Sequence, residues 1–163
     1  MDKKNDYSLN TTWKIWYHSI NDNNWNNNSY KMIYELNNLF DVKGVIDCIQ
    51  SNHLQNSMFF VMRDDIFPTW EYIDNREGCC VSFKIPGSNL KKNWDMILKE
   101  IITENIFIDS EKYSELNGFS ISPKKEFNII KLWFKNNIKD YEKLIKQYKP
   151  YFVKDKSIHK KHF

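Results

Sequence analysis

The sequence predicts an α+β fold built on an antiparallel sheet, and three observations predict it. Short runs alternate apolar with polar residues, as in Trp13, Ile15 and Tyr17, the period of a half-buried strand. Helical spacing is clear in only a few places, above all Leu90, Trp94, Ile97, Leu98 and Ile101. The strand-like runs follow one another instead of alternating regularly with helices, which argues against a parallel βαβ sheet.

In chain order, residues 1–8 are polar and predict a disordered tail. Residues 9–18 and 30–36 read as strands separated by an Asn-rich loop. Val42, Val45, Ile46 and Ile49 recur at helical spacing, predicting a first helix over 39–50. Residues 58–62 and 80–85 read as buried strands, the latter ended by Pro86-Gly87. The Leu90–Ile101 periodicity gives a second helix, and 106–108 a short strand. Residues 118–122 and 127–133 predict a hairpin with a turn at 123–126. Ile138, Tyr141, Leu144, Ile145 and Tyr148 share one helical face and predict a third helix, stopped by Pro150. Residues 151–153 close a sheet of about eight strands, so the domain spans 9–154 and a basic tail fills 155–163.

At 163 residues the chain is expected to form one domain, and 41% hydrophobic content suffices for a core. Mean hydropathy is −0.68 and no run approaches the roughly 20 apolar residues of a spanning helix. The lysines near Met1 are followed by no apolar stretch, so no secretory signal is expected. Cys48, Cys79 and Cys80 form an odd set without zinc spacing, which predicts reduced thiols, no metal and a cytoplasmic setting. A net charge of +3 is too small to argue nucleic-acid binding alone. No Ser/His/Asp order and no Gly-rich phosphate loop appears, so neither an enzyme nor a cofactor is expected. The 16% aromatic content is the unusual quantity, and position must decide its meaning.

Two tryptophans stand out by position. Trp70 follows Pro68 in 65–71 and is followed at once by Glu71; Pro68 fixes its own φ and keeps its neighbour out of the helical region, so this is a strand end or loop. Trp25 lies in the Asn-rich loop 20–28, with no apolar pattern to bury it. Aromatic faces without a core, one beside a carboxylate, suit a flat ligand with hydrogen-bonding edges. Trp13, Trp16 and Trp94 sit on strand or helix periodicity and read as scaffold.

These landmarks, in order, resemble the eukaryotic translation initiation factor 4E family, the messenger-RNA cap-binding proteins. The resemblance runs over roughly 7–150 through Trp13-Lys14-Ile15-Trp16-Tyr17, Trp25, Ile66-Phe67-Pro68-Thr69-Trp70-Glu71 and Asn75-Arg76-Glu77-Gly78. It continues through Trp94, Ile101-Ile102-Thr103-Glu104, Gly118-Phe119-Ser120-Ile121 and Ile130-Lys131-Leu132-Trp133. It implies a curved antiparallel sheet with three helices on its convex face and a cap slot on its concave face. It also implies that Trp25 and Trp70 sandwich 7-methylguanine, Glu71 reads the guanine edge and Trp133 packs on the methyl group.

The same comparison shows departures. The family carries an Arg where Cys80 stands and a Lys where Ile129 stands, while its later Arg matches Lys124. Phosphate binding is therefore expected from Lys124 and Lys131, with Lys125 beside them, and the tail residues His159, Lys160, Lys161 and His162 are candidates for the next nucleotides. On the convex face the family grips a Tyr-x-x-x-x-Leu-hydrophobic helix of the initiation factor 4G scaffold with a Trp and two leucines. Lys43, Asp95 and Lys99 stand there, with Leu39 still apolar, and Asp95 and Lys99 have the spacing of an i,i+4 pair. The expected partners are capped messenger RNA and a divergent scaffold, with the protein a monomer. A cap-sequestering competitor remains an alternative, and a carbohydrate-binding module a weaker one.

Overall fold

A computed structural model describes residues 7–163; the start of the expected N-terminal tail, residues 1–6, lies outside the described residues. Seven strands form one antiparallel sheet: β1 (Ser8–Ser19), β2 (Lys31–Asn38), β3 (Ser57–Arg63), β4 (Cys79–Pro86), β5 (Leu116–Pro123), β6 (Phe127–Phe134) and β7 (Ser157–Lys161). Their order across the sheet is β2-β1-β3-β5-β6-β4-β7. Four helices accompany it: α1 (Leu39–Cys48), α2 (Ser51–Asn56), α3 (Ile73–Arg76) and α4 (Leu90–Ile102). Ser8 already belongs to β1 and Tyr7 packs on Phe40 at 5.1 Å, so both residues are part of the fold rather than of a tail.

Strand alternation sorts the two faces. Trp13 and Ile15 of β1, Phe59 and Val61 of β3, Val81, Phe83 and Ile85 of β4, Phe119 and Ile121 of β5 and Ile130 and Leu132 of β6 join one buried core. α4 closes it with Leu90, Trp94, Ile97, Leu98 and Ile101, the face its periodicity predicts. The opposite, concave face carries a smaller apolar cluster of Phe60, Met62, Cys80 and Trp133. β3 and β5 approach so closely at Gly118 that a Cβ there would stand 2.2 Å from the Val61 carbonyl oxygen.

Three sequence expectations are corrected. The first helix is two: α1 starts on a capping box between Asn38 and Asp41, and at Gln50, whose backbone N–H donates to His53 Nδ1 at 3.0 Å, the chain restarts as α2. The helix expected around 138–148 is absent. Tyr141 and Ile145 are buried as their spacing requires, but only a single 3₁₀ turn (Tyr141–Lys143) forms. Extended pairing takes the backbone groups a helix would use: Ile108 N–H donates to Leu144 O, and Lys146 N–H to Ile106 O. Residues 106–108 and 151–153 accordingly make only isolated bridges, Phe107 to Ile145 and Phe152 to Tyr148. Third, the expected basic tail contains β7, which pairs with β4. No helix among the described residues is long and apolar enough to cross a membrane.

One buried ion pair ties the sheet to the end of α4. Arg63 donates to both Glu104 oxygens, at 2.5 and 3.1 Å, with the two side chains only 6% and 10% exposed. Its remaining N–H groups reach Thr11, Tyr113 O and Leu116 O, and its guanidinium lies 4.3 Å from the Trp13 ring centre.

Candidate functional site

The loop between β3 and α3 presents Trp70 and Glu71 at the mouth of the concave face. Buried Asn75 pins it: its amide donates to Phe67 O at 2.9 Å and Thr69 O at 2.8 Å, while its own oxygen accepts from Asn117. Pro68 is buried, and Phe67 turns edge-on to Trp16 and Tyr30. Fixed on both sides, the loop leaves the Trp70 indole 46% exposed. Nothing in the sequence around Asn75 signals this anchoring, because a buried amide that serves backbone carbonyls has no periodic signature.

Trp25 is held differently. Asp22, Asn24 and Asn26 each accept from the backbone N–H two residues on, a chain of Asx turns that accounts for the Asn-rich composition. The Trp25 ring stacks on buried His18, 3.9 Å between centres and 3° from parallel, and Tyr30 meets it edge-on. The Tyr30 hydroxyl is pushed up to about 12, by burial first and by the Glu71 carboxylate second.

Trp25 and Trp70 do not face a common cavity. Trp25 and Glu71 line one, with Phe67, Thr69 and Tyr72. Trp70 lines a second, of about 280 Å³, with Trp133 across from it and Lys131, Lys160, Lys161 and His162 around it. Trp133 is buried and its indole N–H donates to Ser120 Oγ at 3.0 Å. Lys124 and Lys125 lie apart, in a cavity at the β5–β6 turn with Gln55, Gly87 and Phe127. His159 pairs with Val81 on the core parity of β7, whereas Lys160 pairs with Cys80 on the concave parity. Among the described residues no group of three His, Cys, Asp or Glu side chains could hold a metal ion.

The sequence reading placed His162 with His159, Lys160 and Lys161 toward the next nucleotides and gave no role to Phe163. His162 is docked at three points. Cys80 S–H donates to its Nε2 at 2.8 Å, its Nδ1–H donates to Asn75 O at 2.6 Å, and its backbone N–H donates to Gly78 O. Burial pushes the Cys80 thiol up to about 12 and, chiefly through desolvation, lowers His162 below its ordinary value. Both groups are therefore neutral at pH 7, as this donor order requires. Phe163 lies against Trp70, ring centres 4.9 Å apart, with Arg76 over its ring.

A lowered imidazole pKa means the folded state binds fewer protons than the unfolded one. Docking of His162 is then fully favoured above about pH 6.5 and weakens as pH falls from there toward the lower folded value. A titration of the His162 ring protons by NMR is expected to show a midpoint below that of a model histidine. A midpoint above it would contradict the docked neutral ring.

On the convex face, Asp95 pairs with Lys91 at 2.6 Å rather than with Lys99, because Lys91 also reaches Ile46 O and lies between α1 and α4. Lys43 pairs with Asp47 on α1. Lys99 lines the α4 groove with Lys92, Met96 and Glu100, and Leu39 is exposed at the start of α1.

The family model for eukaryotic initiation factor 4E matches residues 8–161. The chain belongs to the eukaryotic initiation factor 4E family. Curated relatives include the factor 4E proteins of Saccharomyces cerevisiae, 26% identical over 140 residues, and Candida glabrata, 26% identical over 136. These cover 82% and 80% of this chain, which in turn spans 64% of the length of each. Solved structures share the fold. C. elegans eIF4E-3 in complex with the 4E-binding protein Mextli and a cap analog has a TM-score of 0.73 at 21% identity, covering 82% of this chain and 77% of that one. Schistosome eIF4E complexed with m7GpppG and 4E-BP has a TM-score of 0.74 at 14% identity, covering 82% and 75%.

Proposed function

We propose that this factor 4E family member binds the 7-methylguanosine cap of messenger RNA in translation initiation, without catalysing a reaction. The observation that carries the reading is the pinned Trp70-Glu71 loop beside a cavity backed by Trp133 and edged with lysines. Methylation at N7 makes guanine cationic, so stacking on an indole gains a cation–π contribution of about 2 kcal/mol when desolvated. Glu71 accepts from guanine N1–H and its exocyclic amine, bonds about twice as strong as neutral ones because both partners are charged. Trp133 closes the methyl side. Trp25 completes the sandwich by a movement of the Asn-rich loop, which Asx turns and the His18 stack hold in the free protein. Lys131 takes the triphosphate with Lys160 and Lys161, while Lys124 and Lys125 stand a full hairpin arm away at the β5–β6 turn.

This reading is supported by membership of the family and by relatives of the same fold solved with m7G cap and m7GpppG. Retention on immobilised 7-methyl-GTP, with release by the free nucleotide, tests it. Passage through the resin at low salt would overturn it.

The convex face points to a divergent 4G-like scaffold as partner. Charges on Lys43, Lys99 and the Lys91–Asp95 pair replace an apolar patch, and burying them under a Tyr-x-x-x-x-Leu-hydrophobic helix costs more than Leu39 and Met96 return. Such a peptide is expected to bind weakly, with a Kd above about 10 μM, and a cognate helix to carry complementary charges. Nanomolar binding in a calorimetric titration would contradict this. The same charged face leaves room for a second role, a competitor that holds capped messages without recruiting the usual scaffold.

A further inference from the structure

A neutral histidine has one N–H donor and one bare nitrogen that accepts, and the surroundings of His18 do not suit that pair. His18 is fully buried near the end of β1, where it pairs with Met58 of β3. Its Nδ1 lies 2.9 Å from Ser19 O and its Nε2 3.0 Å from Asn24 O. Both partners are carbonyl oxygens, which only accept. A neutral ring would set its bare nitrogen against one of them, whereas an imidazolium donates to both. His162 offers the contrast, because one of its partners is the Cys80 thiol, which can itself donate. The donor count assigns a cation to His18.

The ring lying on His18 suits that charge. The Trp25 indole is 3° from parallel at 3.9 Å between centres, the face-on placement in which a desolvated cation is attracted to an aromatic ring. Removing an ion from water is costly. Two charge-assisted hydrogen bonds, each about twice as strong as a neutral one, act against that cost together with the indole. Tyr30 stands nearly perpendicular to the imidazole at 5.1 Å and also meets Phe67 of the Trp70 loop at 5.3 Å. The titratable and charged groups of the surrounding elements are Asp22, which accepts from Asn24 N–H, Tyr30 with Lys31 beside it, and Glu71 beyond Tyr30. On β3, Ser57, Met58 and Phe59 face this end of β1, and none is charged.

We propose that His18 is the positioning residue for Trp25: as an imidazolium it takes the place of a cationic base on the indole and, through Asn24 O, keeps that indole out of the Trp70 cavity until the cap competes for it. This rests on the cap reading for the competitor and adds the group that holds Trp25 in the free protein. Trp25 lines the cavity of Glu71, and Trp70 that of Trp133, so the sandwich forms only once the Asn-rich loop has moved. Apparent cap affinity is lowered in proportion to the fraction of protein in which Trp25 is already free. A neutral His18 donates to one carbonyl only and places no charge on the indole. Loss of its proton therefore loosens the hold and tightens cap binding.

The test joins spectroscopy of the free protein to cap binding by variants. In histidine-labelled protein near neutral pH, nitrogen NMR is expected to find both ring nitrogens of His18 protonated and one of His162. The His18 ring protons are expected upfield, a shift lost in Trp25→Ala. His18→Phe keeps a flat ring under Trp25 and removes the charge and both donors. It is expected to bind 7-methyl-GTP about tenfold tighter than the wild type, the worth of one charge-assisted hydrogen bond. Between about pH 6 and 8 that ratio shrinks as the wild-type histidine loses its proton; taking a ratio at each pH cancels the titration of the nucleotide. His18→Gln, which keeps one donor without charge, is expected to tighten binding too and stands in should the Phe variant not fold. A bare nitrogen on His18 near neutral pH would overturn the proposal, as would variants that bind no tighter than the wild type or a ratio flat in pH. Failure of the cap reading is distinguishable: 7-methyl-GTP would then bind neither wild type nor variant, while the free-protein spectra would still show whether a doubly protonated ring lies under Trp25.

Discussion

Glu71→Ala is expected to abolish retention on immobilised 7-methyl-GTP, and Trp70→Ala to do the same. Each charge-assisted hydrogen bond contributes about 1.5–3 kcal/mol, so losing the two proposed between Glu71 and guanine is expected to lower affinity by about 100-fold or more. Removing the Trp70 indole deletes one wall of the stack together with its cation–π contribution. Both side chains are exposed and make few contacts with the core, so the folded protein is expected to survive either change with its thermal midpoint nearly intact. Normal retention by either variant would show that the base lies elsewhere, even with the family membership standing. Glu71→Gln separates charge from shape: it keeps one acceptor but loses the charge, and is expected to fall between the wild type and Glu71→Ala.

The largest effect on stability is expected far from the cap slot. Glu104→Ala leaves the Arg63 guanidinium buried without its carboxylate, a change that typically costs about 3–5 kcal/mol. The remaining bonds to Thr11, Tyr113 O and Leu116 O keep the group partly satisfied but not neutralised. Glu104 also sits at φ 62°, a left-handed conformation that most side chains adopt reluctantly, so the pair holds the backbone as well. Urea unfolding followed by tryptophan fluorescence measures the loss. A cost below about 1 kcal/mol, the range of exposed pairs, would mean that water reaches Arg63.

What was legible in the sequence follows a physical line. Strands that bury one face declare themselves by alternation, and α4 by its apolar stripe, because burial there is periodic. The 138–148 segment shows the limit: Tyr141, Leu144, Ile145 and Tyr148 have helical spacing, yet only one 3₁₀ turn forms and pairing with 106–108 takes the backbone groups beyond it. Periodicity reports which residues are buried, not which partner takes the amides. β7 escaped notice because its residues are mostly polar and its one large apolar side chain, Ile158, is 72% exposed. The candidate site divides along the same line. Trp70 and Glu71 were visible because an aromatic without a core and a carboxylate beside it are locally anomalous. Cys80, His162 and Asn75 form a single hydrogen-bonded unit from three separate segments, and no local pattern could bring them together.

The most direct test of the central claim is the ratio of affinities for 7-methyl-GTP and GTP, measured by quenching of tryptophan fluorescence at one pH and salt concentration. The two nucleotides carry the same phosphates and the same guanine edge toward Glu71, and differ in the charge of the stacked ring. A cation–π contribution of about 2 kcal/mol predicts that the methylated nucleotide binds about 30-fold tighter. Equal affinities would contradict a cap-binding role for Trp70 and Trp25.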